Sequence, residues 1–168
     1  MGSIERALSF SKYLPNKGFN SMRLSIFSDY SLRVLMYLGS QHERLATISE
    51  IAQFYGISEN HLMKVVNQLG TLGYIETIRG KGGGMRLARD PKTIILGNVI
   101  RDTETDFALA ECFNDHSACR IQSDCALQTV LSSALAGMFS VLDKHTLEDI
   151  IIKPNMIIQF IKRQVVDS

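Results

Sequence analysis

Two short helical patterns followed by two short strand patterns, all within residues 47–88, constrain the fold more than any other feature of this 168-residue chain. The TISE capping box at residues 47–50 predicts the start of a helix at about 48–55. Ser58 is placed to cap a second helix at about 59–71. Two short helices joined by a glycine-containing turn are typical of a helix-turn-helix.

The strand patterns follow this pair of helices directly. Residues 74–78 (YIETI) and 85–88 (MRLA) alternate between apolar and polar side chains, as half-buried strands do. The segment between them, 79–84 (RGKGGG), predicts a turn with a basic tip. A helix-turn-helix followed by a β-hairpin is a winged helix, so the expected fold class is mainly α with a small β-hairpin.

Helical patterns flank the winged helix on both sides. One helix is expected at 28–40, with Ser28 as its N-cap and Asp29 in its first turn. A long helix is expected at about 125–143, with Asp124 as its cap. Its apolar stripe is long for a chain of this size, so we expect it to pair with its own copy in a homodimer. The alternative is that it covers the winged helix. The stripe consists of Leu127, Val130, Leu131, Ala134, Leu135, Met138, Val141 and Leu142.

These patterns divide the chain into five parts. We expect a poorly ordered N-terminal extension at 1–21, a winged-helix domain at 22–103, a cysteine-containing loop at 104–125, a dimerisation helix with a C-terminal turn at 126–152, and a tail at 153–168.

The predicted recognition helix and the glycine-rich tip carry the side chains that suit DNA. Polar side chains near the start of such a helix read base edges, and glycines beside basic residues let backbone amides approach phosphates. A solvated helix face is the alternative, but the basic tip favours DNA. A nucleotide-binding loop is disfavoured because these glycines lie between two strands and not before a helix. The candidate DNA-binding residues are Ser58, Asn60, His61, Lys64, Asn67, Arg79, Lys81, Gly82 and Gly83.

Local charge agrees with this interpretation, although the net charge is only +1. Residues 60–92 carry six Lys or Arg against two acids, a balance of +4, whereas residues 102–125 carry six acids against one arginine, a balance of −5. No apolar run approaches the roughly 20 residues of a membrane span. No secretory signal opens the chain, and an odd number of clustered cysteines fits a reducing compartment. We therefore expect a cytoplasmic protein that does not bind membranes.

The only three cysteines, Cys112, Cys119 and Cys125, lie within fourteen residues in the pattern C-x6-C-x5-C. A disulfide would leave one thiol over, and a structural zinc site needs a fourth ligand and usually a C-x2-C pair. An iron–sulfur cluster with three thiolates and one further ligand is favoured, with zinc still open. His116 is a candidate fourth ligand, although an ordinary exposed histidine is the preferred interpretation.

Several stretches together resemble one known family. They are residues 22–33 (MRLSIFSDYSLR), 48–58 (ISEIAQFYGIS), 79–84 (RGKGGG) and 146–149 (TLED), with the three-cysteine loop. The resemblance is to bacterial iron–sulfur winged-helix repressors of the NsrR/IscR type, and it covers residues 22 to about 152. Within that family, residues 58–69 (SENHLMKVVNQL) look most like the nitric-oxide-sensitive NsrR branch.

The resemblance implies a cofactor and its ligands. The cofactor would be an iron–sulfur cluster, 2Fe-2S or 4Fe-4S, held by the three cysteines. In the NsrR branch the fourth ligand can be an aspartate donated across the dimer, and Asp29 occupies that position. The alternative for Asp29 is a carboxylate that interacts with the helix dipole. The IscR branch uses a histidine where this chain has Gln128, which argues against that ligation.

The resemblance also implies a function, which is not enzymatic. We expect a transcriptional repressor that binds a palindromic operator as a homodimer when its cluster is intact, and releases it when nitric oxide nitrosylates the cluster. The alternative is a regulator of the same fold that senses iron or redox status. A small iron–sulfur electron carrier is a remote alternative, because no flavin, nucleotide or substrate motif supports it.

Overall fold

The fold is described from a computed structural model, which covers residues 23–41, 44–113 and 125–152. No helix among these residues is long and apolar enough to cross a membrane. The helices are α1 (Ile26–Ser40), α2 (Ile48–Tyr55), α3 (Glu59–Thr71), α4 (Leu96–Thr103) and α5 (Ala126–Leu142); the strands are β1 (Ile75–Ile78) and β2 (Gly84–Leu87); and short 3-10 helices lie at Pro91–Thr93, Glu111–Phe113 and Leu147–Ile150.

The core forms where the apolar faces of α1, α2 and α3 meet. Leu35, Ile51, Leu62 and Leu69 are each fully buried. They belong to helix faces on which apolar residues recur every three or four positions. Burying a side chain of this size stabilises a fold by about 1.5–3 kcal/mol. Packing of these faces therefore fixes α3 relative to the rest of the domain, with its polar face outward.

Helix caps confirm most of the local predictions and correct one. Thr47 caps α2 by accepting a hydrogen bond from the backbone N–H of Glu50 at 3.2 Å. The prediction that Ser28 caps the first helix is wrong. Ser25 is the N-cap, and it accepts a hydrogen bond from the Ser28 N–H at 3.1 Å. The hydroxyl of Ser28 is buried and accepts one from Thr103 at 3.0 Å, so packing against α4 extends α1 toward its N-terminus.

The wing is an antiparallel pair, as predicted, with Ile75 opposite Leu87 and Ile78 opposite Gly84. A third segment, which the sequence patterns did not indicate, joins it at Ala46. The N–H of Ala46 donates to the oxygen of Met85 at 3.0 Å, and the N–H of Met85 donates back at 2.8 Å. Through this bridge the segment before α2 supports the wing.

One glycine of the wing tip is required by close packing. A Cβ at Gly83 would lie 2.3 Å from the backbone oxygen of Ile78 and 2.9 Å from that of Gly80. We expect Gly83→Ala to lower the free energy of unfolding by about 1–3 kcal/mol, because the tip must open to admit the methyl group. Gly70→Ala is the control, since a Cβ there meets nothing within 4 Å. Urea unfolding of the cluster-free protein measures both, and equal stability of Gly83→Ala and the parent would contradict the prediction.

The segment after α5 returns to the winged helix. Leu147 donates its N–H to the oxygen of Ile94 at 2.8 Å, and Leu96 donates to that of His145 at 3.0 Å. Thr146 and Asp149 form a capping box at the start of the last 3-10 helix. The side chain of Leu147 is fully buried, so the C-terminal end of α5 is attached to the winged helix.

The apolar stripe predicted for the long helix is divided between two faces of α5. One face is half-buried and packs toward its own chain; it contains Gln128, Leu131, Leu135, Phe139 and Leu142. The other face is exposed, and its four large apolar side chains are between 41% and 62% exposed: Leu127, Val130, Met138 and Val141. One face of α5 thus packs against its own chain, and the other is an apolar surface without a partner in the described chain. The predicted cap Asp124 lies outside the described residues, and Cys125 is the N-cap residue.

Candidate DNA interface and metal centre

The recognition helix α3 presents its predicted residues to solvent. Ser58, Asn60, His61, Lys64 and Asn67 are all exposed. Ser58 is the N-cap residue, but its hydroxyl makes no capping hydrogen bond. The face that results can donate and accept hydrogen bonds from several adjacent side chains, as base and phosphate recognition requires.

Cations near α3 and the wing fall into two groups. Arg86 pairs with Glu76 within the hairpin. Arg89 donates to the backbone oxygen of Leu72 at 2.7 Å and lies 4.7 Å above the ring of Tyr74, so it supports the fold. Among the described residues, no carboxylate forms an ion pair with the exposed Lys64, Arg79 or Lys81. That second group keeps its charge available for an anion.

The wing tip combines these cations with accessible backbone. Gly80 and Gly82 have φ angles of 106° and 80°, in the left-handed region that favours glycine. Gly82 is exposed and Gly83 is half-buried. The tip therefore presents Arg79 and Lys81 around peptide groups that no side chain shields, which suits approach to a phosphate backbone.

A polar network that sequence patterns did not single out braces α2. Burial and the hydrogen bond that its hydroxyl donates to Glu50 at 2.7 Å raise the pKa of Tyr37 to about 12. Burial opposes ionisation of Glu50, but hydrogen bonds from Arg44 and Tyr37 outweigh it and lower the pKa of this carboxyl. The network joins α1 to the N-terminus of α2, and only a contact map could have found it.

Two of the three cysteines lie within the described residues, and α5 brings their segments together. Cys112 is buried in the short 3-10 helix at Glu111–Phe113, and Cys125 is half-buried at the N-cap of α5. Gln128, in the first turn of α5, donates its side-chain N–H to the backbone oxygen of Cys112 at 3.0 Å. One helix turn therefore carries Cys125 and holds the Cys112 segment. Cys119 and His116 lie outside the described residues.

Cysteine thiols are suitable donors for a metal centre. The thiolate is the form in which cysteine binds metals, and an anion at a helix N-terminus is favoured by the helix dipole. Cys125 has that position. No group of three or more His, Cys, Asp or Glu side chains in the described part of the chain is placed to hold a metal, and the third cysteine falls outside that part.

Asp29 lies in the first turn of α1, as predicted. Its carboxylate pairs with Arg33 of the same helix at 2.9 Å, and both side chains are about 40% exposed. Arg33 also lies 5.6 Å from the centre of the Tyr55 ring. Within the described chain the carboxylate thus neutralises a local cation, and it remains open to solvent.

A winged helix with an exposed polar recognition helix, a basic wing and a long helix with an unpartnered apolar face defines a DNA-binding transcription regulator. Known proteins agree. The model of the Rrf2 family, described as iron-dependent transcriptional regulators, matches residues 24–153. The chain belongs to the Rrf2 family, which is a family of regulators and not of enzymes.

Individual relatives point to one branch of the family. The chain is 48% identical over 143 residues to the HTH-type transcriptional regulator NsrR of Bacillus subtilis, covering 84% of this chain and 98% of that protein. It is 49% identical over 138 residues to the NsrR of Bacillus licheniformis, covering 81% and 96%. Among solved structures, T. potens IscR has a TM-score of 0.60 at 26% identity, covering 79% of this chain and 88% of the other. The predicted family resemblance is confirmed.

Proposed function

We propose that this regulator is a nitric-oxide-sensing repressor, which binds a palindromic operator as a homodimer while Cys112, Cys119 and Cys125 hold an iron–sulfur cluster. One observation carries the proposal. Cys125 begins the helix that also holds the backbone of Cys112 through Gln128, and the same helix exposes the apolar face suited to a second subunit. Ligation at the cysteines and the dimer geometry thus share one element.

The residues of this chain would transmit ligand loss as follows. When bound, an iron–sulfur cluster supplies iron that reacts with nitric oxide. Release of Cys125 and Cys112 from ligation leaves the Cys112 segment held to α5 only by contacts such as the Gln128 hydrogen bond. A shift of α5 relative to the winged helix then alters the spacing of the two recognition helices, which a palindromic operator fixes at about one helical turn. Nitric oxide can act only through a difference in stability between the two dimer geometries.

The regulator's place of action and its signal belong to the same proposal. DNA binding and thiolate ligation both fit the cytoplasm expected from the clustered cysteines. A sensor of iron or redox status is the second candidate, favoured by the description of the family as iron-dependent. Either sensor predicts high operator affinity for the cluster-loaded form, whereas an electron carrier would bind no operator.

An operator-binding assay tests the proposal. Protein purified without oxygen is compared in three forms: cluster-loaded, cluster-free and treated with nitric oxide. We expect the loaded form to bind at least tenfold more tightly than the other two, which corresponds to about 1.4 kcal/mol. Equal affinities in all three forms would overturn the switch. Release by oxygen or a chelator, but not by nitric oxide, would support the second candidate.

Lys64→Ala should weaken operator binding without loss of iron. The exposed ammonium group lies on the α3 face. The dimer loses one such phosphate contact from each subunit, which lowers the salt dependence of binding by about two units of slope. Lys144→Ala is the control, because it makes the same charge change at an exposed position just after α5. Fluorescence anisotropy at several salt concentrations measures both, and identical slopes for the two variants would remove Lys64 from the interface.

Asp29→Ala should lower the stability of the cluster if this carboxylate completes its ligation across the dimer. Arg33→Ala is the matched control, since it breaks the same ion pair and keeps the carboxylate. We expect iron release to a chelator to be faster in Asp29→Ala alone. If iron release is equally fast in both variants, Asp29 is not a cluster ligand and its carboxylate acts only at the N-terminus of α1.

A further inference from the structure

Few contacts connect the winged helix to α5, and one aromatic ring stands in the middle of them. Phe139 lies on the half-buried face of α5. The ring of Phe107 meets it edge-on, with 5.1 Å between centroids and 79° between planes. The guanidinium of Arg101 makes a cation–π contact with the Phe139 ring, 4.2 Å from the ring centroid. Phe139 therefore contacts both the segment that leads to Cys112 and the last helix of the winged domain.

Arg101 is held in place by Asp143, the C-cap residue of α5. Its two terminal nitrogens donate to the two oxygens of Asp143, each at 2.7 Å. The hydrogen bonds from Arg101 lower the pKa of the Asp143 carboxyl, so the pair stays charged at neutral pH. A single exposed ion pair stabilises little, but a bidentate pair combined with an aromatic contact fixes direction. The orientation of α4 against α5 thus depends on residues 101, 139 and 143.

The sequence leaves room for this arrangement at Gly97. A Cβ there would lie 1.9 Å from Oδ1 of Asp143 and 3.0 Å from Nη1 of Arg101. Any larger residue at this position of α4 would push the carboxylate away. Beside the ion pair, a groove of about 520 Å³ is lined by Phe113, Phe139 and Asp143.

We propose that Phe139 is the positioning residue through which the cysteine segment sets the orientation of α5 against the winged helix. The segment is attached to α5 at Gln128 and at Phe139, near both ends of the helix. A rearrangement at the cysteines pulls on Phe107. The movement of Phe107 then shifts the Phe139 ring, which Arg101 contacts. This inference rests on the proposed cluster-dependent DNA binding.

Two variants test it without altering a cysteine. Phe139→Leu removes the aromatic ring that Arg101 contacts, and Gly97→Ala displaces Asp143 although alanine favours a helix more than glycine does. Ser133→Ala, an exposed position on another face of α5, is the control. For each protein we measure iron and sulfide content, dimer mass and the operator affinities of the loaded and cluster-free forms.

We expect both variants to load iron and to dimerise as the parent does. The ratio of loaded to cluster-free affinity should fall about fivefold or more, which is the lower range of allosteric coupling. Ser133→Ala should keep the parent ratio. An unchanged ratio in both variants would overturn the inference, and so would loss of iron from both, since the ring would then serve to hold the cluster. If the parent protein binds the operator equally tightly with and without its cluster, the proposed function is overturned, and this inference with it.

Discussion

Replacing Cys125 with serine will strip the protein of its iron and leave the following helix intact. Serine is among the best N-cap residues, so the start of α5 should keep or gain stability. The thiolate, however, is lost from the first turn that also holds the Cys112 backbone. We expect iron and sulfide to fall by more than tenfold, with loss of the visible absorption, while far-ultraviolet circular dichroism is unchanged.

Cys125→Ala is the matched variant, because it removes the same thiolate but caps a helix poorly. It should lose iron to the same extent and be less stable than Cys125→Ser by about 1 kcal/mol in the cluster-free form. Equal iron loss with unequal stability separates ligation from folding. A full-strength visible spectrum in Cys125→Ser would remove this residue from the ligand set.

The parts of the fold that are set by neighbouring residues could be predicted from sequence. The capping box at Thr47 and the glycine Gly56, with a φ of 65°, place the two ends of α2. The alternation around the glycine-rich tip likewise predicted the hairpin. These signals are local: each depends on residues within four or five positions of one another.

Long-range packing decided what local patterns left open. Ser25 and Ser28 are both good caps, and Thr103, 75 residues away, buries the hydroxyl of Ser28 and leaves the cap to Ser25. Arg101 and Asp143 are 42 positions apart, and no periodicity links them. The stripe on α5 predicted an apolar helix correctly, but periodicity alone cannot say which turn meets its own chain and which meets a partner.

The candidate site divides in the same way. Residue type and spacing singled out the three cysteines as candidate metal ligands, and this assignment stays a prediction. The sequence could not show that Lys64 is available for an anion while Arg86 and Arg89 are occupied within the fold, because all three side chains are basic. Only the hydrogen bonds show that Arg89 supports the backbone of Leu72. Charge counts therefore overstate the number of cations available for DNA.

Val130→Glu should give a folded monomer that binds its operator at least a hundredfold more weakly. Val130 is 62% exposed in the single chain, so glutamate costs the fold of one subunit little. Against a second copy of α5, the charge would be buried without a partner, which is strongly unfavourable. A monomer contacts one half-site and releases fewer counterions, so the salt dependence of binding should fall to about half.

Ala136→Glu adds the same charge at an exposed position of the same helix and should remain a dimer. Ala136 is not three or four residues from any of the four exposed apolar side chains, so it lies on a different side of the helix. Sedimentation equilibrium measures the mass of both variants, and circular dichroism checks that α5 is intact. A dimeric Val130→Glu would show that another surface pairs the subunits. The exposed face of α5 would then not be the dimer interface. The proposal that α5 links cysteine ligation to the dimer geometry would fail.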